Sequence, residues 1–483
     1  MTLNAWVAIL VILEIVVVFG FILTERRHPS ATLAWVMAVV FLPVLGLILY
    51  VVFGRTRMVR RSRRFKKLSR RVRELMRDNG VGSDGLGRAN ALRDCDPRTP
   101  PVARLASRMG VAPPTDGNIT RLLVDAEAAY GAMLAAIRGA RHHIHIEFYI
   151  WQNDDTGRCF RDALVLRARD GVKVRALVDA VGSSSLPDGF FQPLVEAGGE
   201  FAEFSPIARI ARLLRRSRVD FRNHRKLLIV DAQRGFTGGV NLGDEYLGKD
   251  PELGGWRDTH LEIEGPAVMG LQQAFVEDWL WATDELLAET GLFSARPAAE
   301  PGDAVLVVES GPDREWAPIH RIYVQAITAS VSRVWLTNPY FLPDKVMEEA
   351  LVTAALRGVD VRILLPKRND SRLVAYASAA FFQALLQAGV KLYRYRAGFV
   401  HAKTLVVDDW ASTVGSANMD ARSFRLNFEL NVFVFSGGLT TALAETFERD
   451  LAEADPVTRE AERAIGYLTR LARQAAQLLS PLM

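Results

Sequence analysis

Eleven residues near the middle of the chain, FRNHRKLLIVD from Phe221 to Asp231, return in altered form as FVHAKTLVVDD from Phe399 to Asp409. Both place a histidine, a lysine two residues on and an aspartate five after that at the head of an apolar run. The two triplets are His224, Lys226, Asp231 and His401, Lys403, Asp408. The flanking segments recur in the same order. HHIHIEFYIW and SRVWLTNPYFLPD are strand-like, and helical stretches Arg158–Arg169 and Lys345–Arg357 follow them. DGVKVRALVD and RGVDVRILLP each hold a helix-ending glycine and a β-branched strand. FFQPLVEAGG and FFQALLQAGV are helical again, and TGGVNLGDEY and VGSANMDARSF are glycine turns carrying Asn241 and Asn418. A repeat of about 180 residues is a duplicated domain, not a solenoid. Strands alternating with helices predict two α/β lobes, 118–300 and 301–483, with mixed, largely parallel sheets flanked by helices. A pseudo-twofold axis would bring the two half-sites to one pocket.

In a strand, residues i and i+2 share a face, so each histidine points the same way as its lysine, while Arg225 and Ala402 point away. Neutral imidazole is a nucleophile and an ammonium group suits phosphate oxygens. Two of each, with Asn241 and Asn418 as donors, describe a phosphodiester site. One imidazole attacks phosphorus to give a phosphohistidine, and the other protonates the leaving alcohol and then activates the acceptor. This chemistry needs no metal or other cofactor, and the adjacent ammonium groups oppose zinc on the histidines. A nucleophilic histidine needs its second ring nitrogen held. Asp258 in WRDTHLEIEG and Glu429 in RLNFELNV, at comparable downstream positions, are assigned that role. Asp231 and Asp408 complete the catalytic motif, and their place at strand ends suits holding turns and backbone. The remaining histidines lack such partners and read as structural or surface groups. Glu147 reads as a buried, paired carboxylate.

The first 54 residues have a different character. Ala5–Leu23 is apolar except for Glu14, and Ala31–Phe53 carries no charge. About 20 apolar residues span a ~30 Å hydrocarbon layer. Glu14 costs roughly 2.5–3.5 kcal/mol at mid-helix, which the surrounding Val, Ile, Leu and Phe offset at ~0.3–0.6 each. The expectation is a two-helix transmembrane hairpin over 1–54, with spans 5–23 and 31–53 and Glu14 facing the second helix. Segment 55–117 follows, opening with RTRMVRRSRRFKKLSRRVR, whose charge places the N-terminus and both lobes on the cytoplasmic side of a cell membrane. The formal charge of +5 over 483 residues is modest, and two cysteines exclude a disulfide framework. Ser205–Val219, SPIARIARLLRRSRV, is amphipathic, and Arg209, Arg212, Arg215 and Arg216 are assigned to membrane headgroups. AERAIGYLTRLARQAAQLL near the C-terminus is amphipathic too, and core packing is expected for it.

These segments resemble the phospholipase D superfamily, whose signature is the duplicated H-x-K motif at a two-lobed interface. Within it, NHRKLLIVD, GGVNLGDEY, WRDTHLEIEGPAV, PYFLPD, HAKTLVVDD and GSANMDARSFRLNFE are similar to bacterial cardiolipin synthases, as are the N-terminal hairpin and the C-terminal SPLM. The resemblance covers nearly the whole chain. It implies transfer of a phosphatidyl group from one phosphatidylglycerol to the terminal hydroxyl of another, releasing glycerol, beside anionic membrane lipids. It also implies His224 as nucleophile. The alternative is a membrane-bound phospholipase D that hydrolyses lipids or exchanges headgroups more broadly. A nucleic-acid substrate fits the hairpin poorly, and a homo-oligomer is left open.

Overall fold

The computed structural model describes residues 95–204, 221–249 and 254–480, apart from 290, 295, 297 and 299–301, together with positions 20, 29–42, 45–46, 50, 70–72 and 74. The chain divides into two compact units, Met1–Arg64 with Ala208–Phe221, and Phe65–Ile207 with Arg222–Met483. In the first unit the helix Pro29–Phe41 is charge-free, with the Trp35 ring edge-on to Tyr50 at 5.6 Å. Among the described residues, no helix is long and apolar enough to cross a membrane. Most of the expected hairpin, including Glu14, lies outside the described residues, as do the basic run from Arg55 to Lys67 and Arg209, Arg212, Arg215 and Arg216.

The second unit carries the repeat. Its first half runs β1 (Thr115–Val124), helix Asp125–Gly139, β2 (His143–Phe148), helix Asp155–Arg169, β3 (Lys173–Asp179), helix Gln192–Glu196 and β4 (Glu200–Phe204). Then come β5 (Lys226–Val230), β6 (Arg234–Gly238), β7 (Trp256–Arg257), β8 (Thr259–Glu264) and helix Val268–Thr283. The second half answers with β9 (Asp303–Ser310), helix Pro318–Ala329, β10 (Arg333–Thr337), helix Lys345–Leu356 and β11 (Asp360–Pro366). Helices Arg372–Ala379 and Phe382–Ala388 follow, then β12 (Lys391–Tyr395), β13 (Phe399–Val400), β14 (Thr404–Val407) and β15 (Ala411–Gly415). It closes with helix Ala421–Arg425, β16 (Glu429–Phe435), helix Gly437–Ala452, β17 (Ala454–Val457) and helices Arg459–Arg463 and Tyr467–Leu478.

Local signals recur with the elements. Asp154 accepts from the Gly157 amide at 2.8 Å and Asp344 from the Met347 amide at 3.0 Å, capping equivalent helices. Gly171 and Gly358 end those helices at φ +86° and +91°, where a side chain would be strained.

Among the described residues, fifteen strands form one sheet in the order β17-β12-β11-β10-β14-β15-β16-β9-β1-β8-β6-β5-β2-β3-β4. Read outward from the β9–β1 junction, the two halves list equivalent strands, which is the arrangement a twofold axis produces. Each half keeps its own core, one centred on Met133, Phe160 and Phe236, the other on Leu336, Leu351 and Phe433. Within this sheet, among the described residues, parallel pairing holds for β2-β3-β4 and β10-β11-β12 alone. The motif strands β5 and β14 run antiparallel to β2 and β10, correcting the expectation of largely parallel sheets. The reason is connectivity: short turns, not crossover helices, join β5 to β6 and β14 to β15. The C-terminal helix also departs from expectation, since Ala476 is its only buried side chain. It packs against the helix Arg372–Ala379.

Candidate active site

Each motif histidine stands just before its strand, on a stretch that pairs with the other half. The His224 amide donates to the Phe428 carbonyl at 2.9 Å, and Phe428 in turn donates to Arg222 at 2.9 Å. In the second half the His401 amide donates to Arg257 at 2.8 Å, and β13 pairs in parallel with β7. Backbone pairing therefore sets each histidine beside the carboxylate carried by the opposite half. His224 Nδ1 lies 3.0 Å from both oxygens of Glu429, and His401 Nδ1 lies 2.7 Å from Asp258 Oδ2. Each carboxylate accepts an Nδ1–H, which leaves the lone pair on Nε2. Ser416 Oγ donates to Glu429 at 2.5 Å, and the Thr259 amide donates to Asp258 at 2.7 Å.

The glycine turns have a spatial cause. A Cβ on Gly239 would collide with the Asp258 carboxylate, and one on Gly415 with the Asn431 amide. These small residues let the polar chemistry approach the backbone.

Burial sets the charge states. Desolvation holds His224 down at about 4 and His401 at about 3, against the pull of Glu429 and Asp258, so both rings are neutral at pH 7. Lys226 is lowered to about 7 by burial, with Lys403 adding repulsion, and Lys403 is lowered to about 8 by burial. Burial opposes ionisation of Asp258, yet Lys403 and His401 bring it to about 2. Glu429 likewise ends below its usual value despite burial, through His224 and Lys226. Charges from both halves act on one another, so the two half-sites lie close together.

The halves differ in detail. Both lysines donate to the carbonyl of their own histidine, Lys226 at 2.7 Å, and Lys403 Nζ in addition reaches His401 Nε2 at 2.9 Å. Among the described residues no group occupies Nε2 of His224. Around His401 stand the rings of Trp256 at 5.3 Å, Phe399 at 5.7 Å, Tyr246 at 5.8 Å and Tyr340 at 6.3 Å. His224 has Tyr149, edge-on at 4.9 Å, which also faces Lys226 at 5.5 Å. Sequence reasoning missed these rings as site groups. Tyr149 and Trp256 adjoin motif residues, but single aromatics carry no spacing signal.

Three of the assigned residues are engaged away from the reacting groups, two of them as their strand-end positions suggest. Asp231 and Asp408, placed in the catalytic motif, lie at the far ends of β5 and β14, about 16 Å from the lysines at ~3.3 Å per residue. Asp231 accepts the amides of Arg141, His142 and His143 at 2.7–2.9 Å. Asp408 accepts those of Val331, Ser332 and Arg333 at 2.8–3.0 Å. Both carboxylates brace the start of a neighbouring strand and touch no part of the cavity chemistry. Asn241, expected to donate to phosphate, gives its amide N–H to the Tyr246 hydroxyl at 2.6 Å and accepts from Ile150 at 3.2 Å. Asn418 is different: its Oδ1 is buried and without a partner among the described residues. Glu147 is buried against Asn223, and burial beside Asp278 raises its pKa. Below the motif, Arg225 bridges Asp278 at 2.6 Å and Glu309 at 2.9 Å and donates to the Glu429 carbonyl at 3.3 Å. Among the described residues no three His, Cys, Asp or Glu side chains are disposed to hold a metal ion.

The family described as cardiolipin synthase, PLD-like domain, matches residues 133–279 and 323–451, and the phospholipase D-nuclease N-terminal family matches residues 3–55. The chain is 37% identical over 476 residues to a cardiolipin synthase of Alkalihalophilus pseudofirmus, covering 98% of this chain and 92% of that one. It is 39% identical over 474 residues to a cardiolipin synthase of Geobacillus thermodenitrificans, covering 97% and 92%. Among solved structures, a phosphatidylserine synthase of Haemophilus influenzae superimposes with a TM-score of 0.60 at 14% identity, over 79% of this chain and all of that one. That last likeness concerns the fold. The doubled motif, the crossed carboxylates and the full-length similarity lead to one conclusion: the chain belongs to the cardiolipin synthase family of phospholipase D-like proteins.

Proposed function

We propose that the chain is a cardiolipin synthase that joins two phosphatidylglycerol molecules into cardiolipin and glycerol. The observation that carries the chemistry is the crossed pairing, in which each neutral imidazole has Nδ1 held by a carboxylate of the opposite half. Nε2 of His224 attacks the donor phosphorus and the P–O bond to glycerol breaks. The departing oxygen takes a proton from Nε2 of His401, with the Lys403 ammonium 2.9 Å away as the proton source. A second phosphatidylglycerol then gives its terminal hydroxyl proton to Nε2 of His401, which returns it to Lys403, and attacks phosphorus. The P–N bond breaks and His224 returns to its neutral form. Lys226, Lys403 and the Asn418 amide oppose the charge on the non-bridging oxygens. Exchange of one primary-alcohol phosphodiester for another is close to thermoneutral, so no nucleotide is required.

His224 is the nucleophile in this reading because its Nε2 is not engaged by the lysine, unlike that of His401. The aromatic rings around His401 restrict water, the competing acceptor for the phosphohistidine. The N-terminal hairpin, as two spans with the lobes on the cytoplasmic face of the cell membrane, belongs to the same reading, supported by the uncharged run Ala31–Phe53 and the arginines after it. Both substrates are confined to a bilayer, and a tethered cavity meets them at high local concentration. Detergent-solubilised protein supplied with labelled phosphatidylglycerol tests the function. Cardiolipin with an equivalent of glycerol is expected, whereas phosphatidic acid as main product would make it a hydrolase.

A further inference from the structure

The helix Tyr467–Leu478 keeps Tyr467, Leu468, Leu471 and Leu478 between 53% and 81% exposed. At 100° per residue these four fall within about a third of the helix circumference, so the exposed apolar groups form a stripe. The helix packs against Arg372–Ala379, which itself leaves Leu373 and Tyr376 in solvent. An apolar area contributed by two packed helices is more than the scattered exposure normal for a soluble surface.

Its place relative to the cavity is fixed by hydrogen bonds. Asn369 Nδ2 donates to the Pro339 carbonyl at 3.2 Å, and the Tyr340 hydroxyl donates to Asp370 at 2.5 Å. Tyr340 faces His401. The N-terminal end of Arg372–Ala379 is thereby tied to the wall of the cavity. Arg368 and Arg372 are exposed at that end, and among the described residues neither pairs with a carboxylate. Apolar side chains bordered by unpaired guanidinium groups match an interface of acyl chains and anionic headgroups.

We propose that helices Arg372–Ala379 and Tyr467–Leu478 form the face on which the catalytic unit seats on an anionic lipid bilayer, bringing the cavity wall at Tyr340 to the headgroups. The proposal rests on the lipid-transfer reading above. It adds a contact, separate from any N-terminal anchor, through which lipid reaches the cavity.

The test uses the full chain with the triple change Leu468→Glu, Leu471→Glu and Leu478→Glu. All three side chains are largely exposed, so folding should survive. Cardiolipin formation is measured on phosphatidylglycerol vesicles diluted with phosphatidylcholine, and on short-chain phosphatidylglycerol below its micellar threshold. About a tenfold loss on vesicles, with the rate on dispersed lipid within about twofold of the parent, is expected. Equal rates on vesicles would overturn the proposal, as would equal loss on both substrates. A second measurement places an environment-sensitive dye on Leu471→Cys in a Cys95→Ser, Cys159→Ser background. Quenching by brominated lipid is expected. Lack of quenching overturns the proposal, and so does dye-to-dye transfer that rises with protein concentration, which would assign the face to a second copy. If the parent made no cardiolipin from either lipid form, the function would fail, while quenching would still decide the surface.

Discussion

The two halves of the catalytic unit share a strand order, a pair of helix caps and a motif, yet their half-sites are not alike. Around His401 the lysine hydrogen-bonds the reactive nitrogen and four aromatic rings close in. Around His224 the lysine makes the backbone bond that both lysines share but, among the described residues, no bond to the ring, and one tyrosine stands by. A symmetric fold can thus hold two identical side chains in unlike states. The proposed reaction needs that, because in it one imidazole carries phosphorus while the other carries protons. The difference teaches that duplication supplies the groups and local packing assigns their tasks.

The sharpest way to break this comparison is to remove one imidazole at a time. His224→Ala and His401→Ala should each lower cardiolipin formation by about 10³-fold or more, as losses of groups acting as a unit do. A phosphatidyl ester of p-nitrophenol, which needs no proton on leaving, should separate them. His401→Ala is expected to keep a stoichiometric burst of nitrophenol, and His224→Ala to show none. A burst from His224→Ala would reverse the assignment.

The crossed carboxylates come next. Glu429→Gln and Asp258→Asn should each cost about 10²–10³-fold in kcat, because the imidazole loses the partner that fixes its tautomer. Glu429→Gln should impair the nitrophenol burst and Asp258→Asn should spare it. Equal effects on the burst would mean the halves are interchangeable.

The lysines give a pH signature. With folded values at about 7 and about 8, Lys226 and Lys403 are cationic below that range and lose their protons as pH rises through it. The kcat/KM profile should therefore fall on the alkaline side from near pH 7. Lys226→Arg should shift that limb upward, since guanidinium stays charged. An alkaline limb unmoved in Lys226→Arg would remove Lys226 from phosphate binding.

The asparagines sharpen a smaller contrast. Asn418→Ala should lower turnover by about tenfold with little change in stability. Asn241→Ala should instead destabilise by about 1–3 kcal/mol, because it strips partners from the buried Tyr246 hydroxyl and Ile150 amide. Denaturant unfolding beside initial rates checks both. Least affected in rate should be Asp231→Asn and Asp408→Asn, whose carboxylates serve neighbouring backbone. A loss of stability at unchanged kcat is the expected result.

Much of this was legible in the chain. A doubled H-x-K motif with matching elements before and after it announces two lobes and one shared centre. Asp258 and Glu429 could be picked out because they stand at comparable positions downstream, 34 and 28 residues after their histidines. The role of Asp231 and Asp408 was legible from their strand-end position, although motif membership drew them into the catalytic set. Which carboxylate serves which histidine was not legible, since two equivalent halves permit either pairing. The C-terminal helix misled for a physical reason: amphipathic periodicity says that one face avoids water, not what covers it.

By itself, the sequence determined that two imidazoles and two ammonium groups would be presented on strands in equivalent settings, because alternation and helix-strand order are local properties. Only the tertiary structure decided that the partners cross between halves and that Lys403, not Lys226, meets a ring nitrogen. It also decided that Tyr467–Leu478 keeps its apolar stripe in solvent. Such outcomes depend on contacts between residues up to about 200 positions apart, which no short-range pattern encodes.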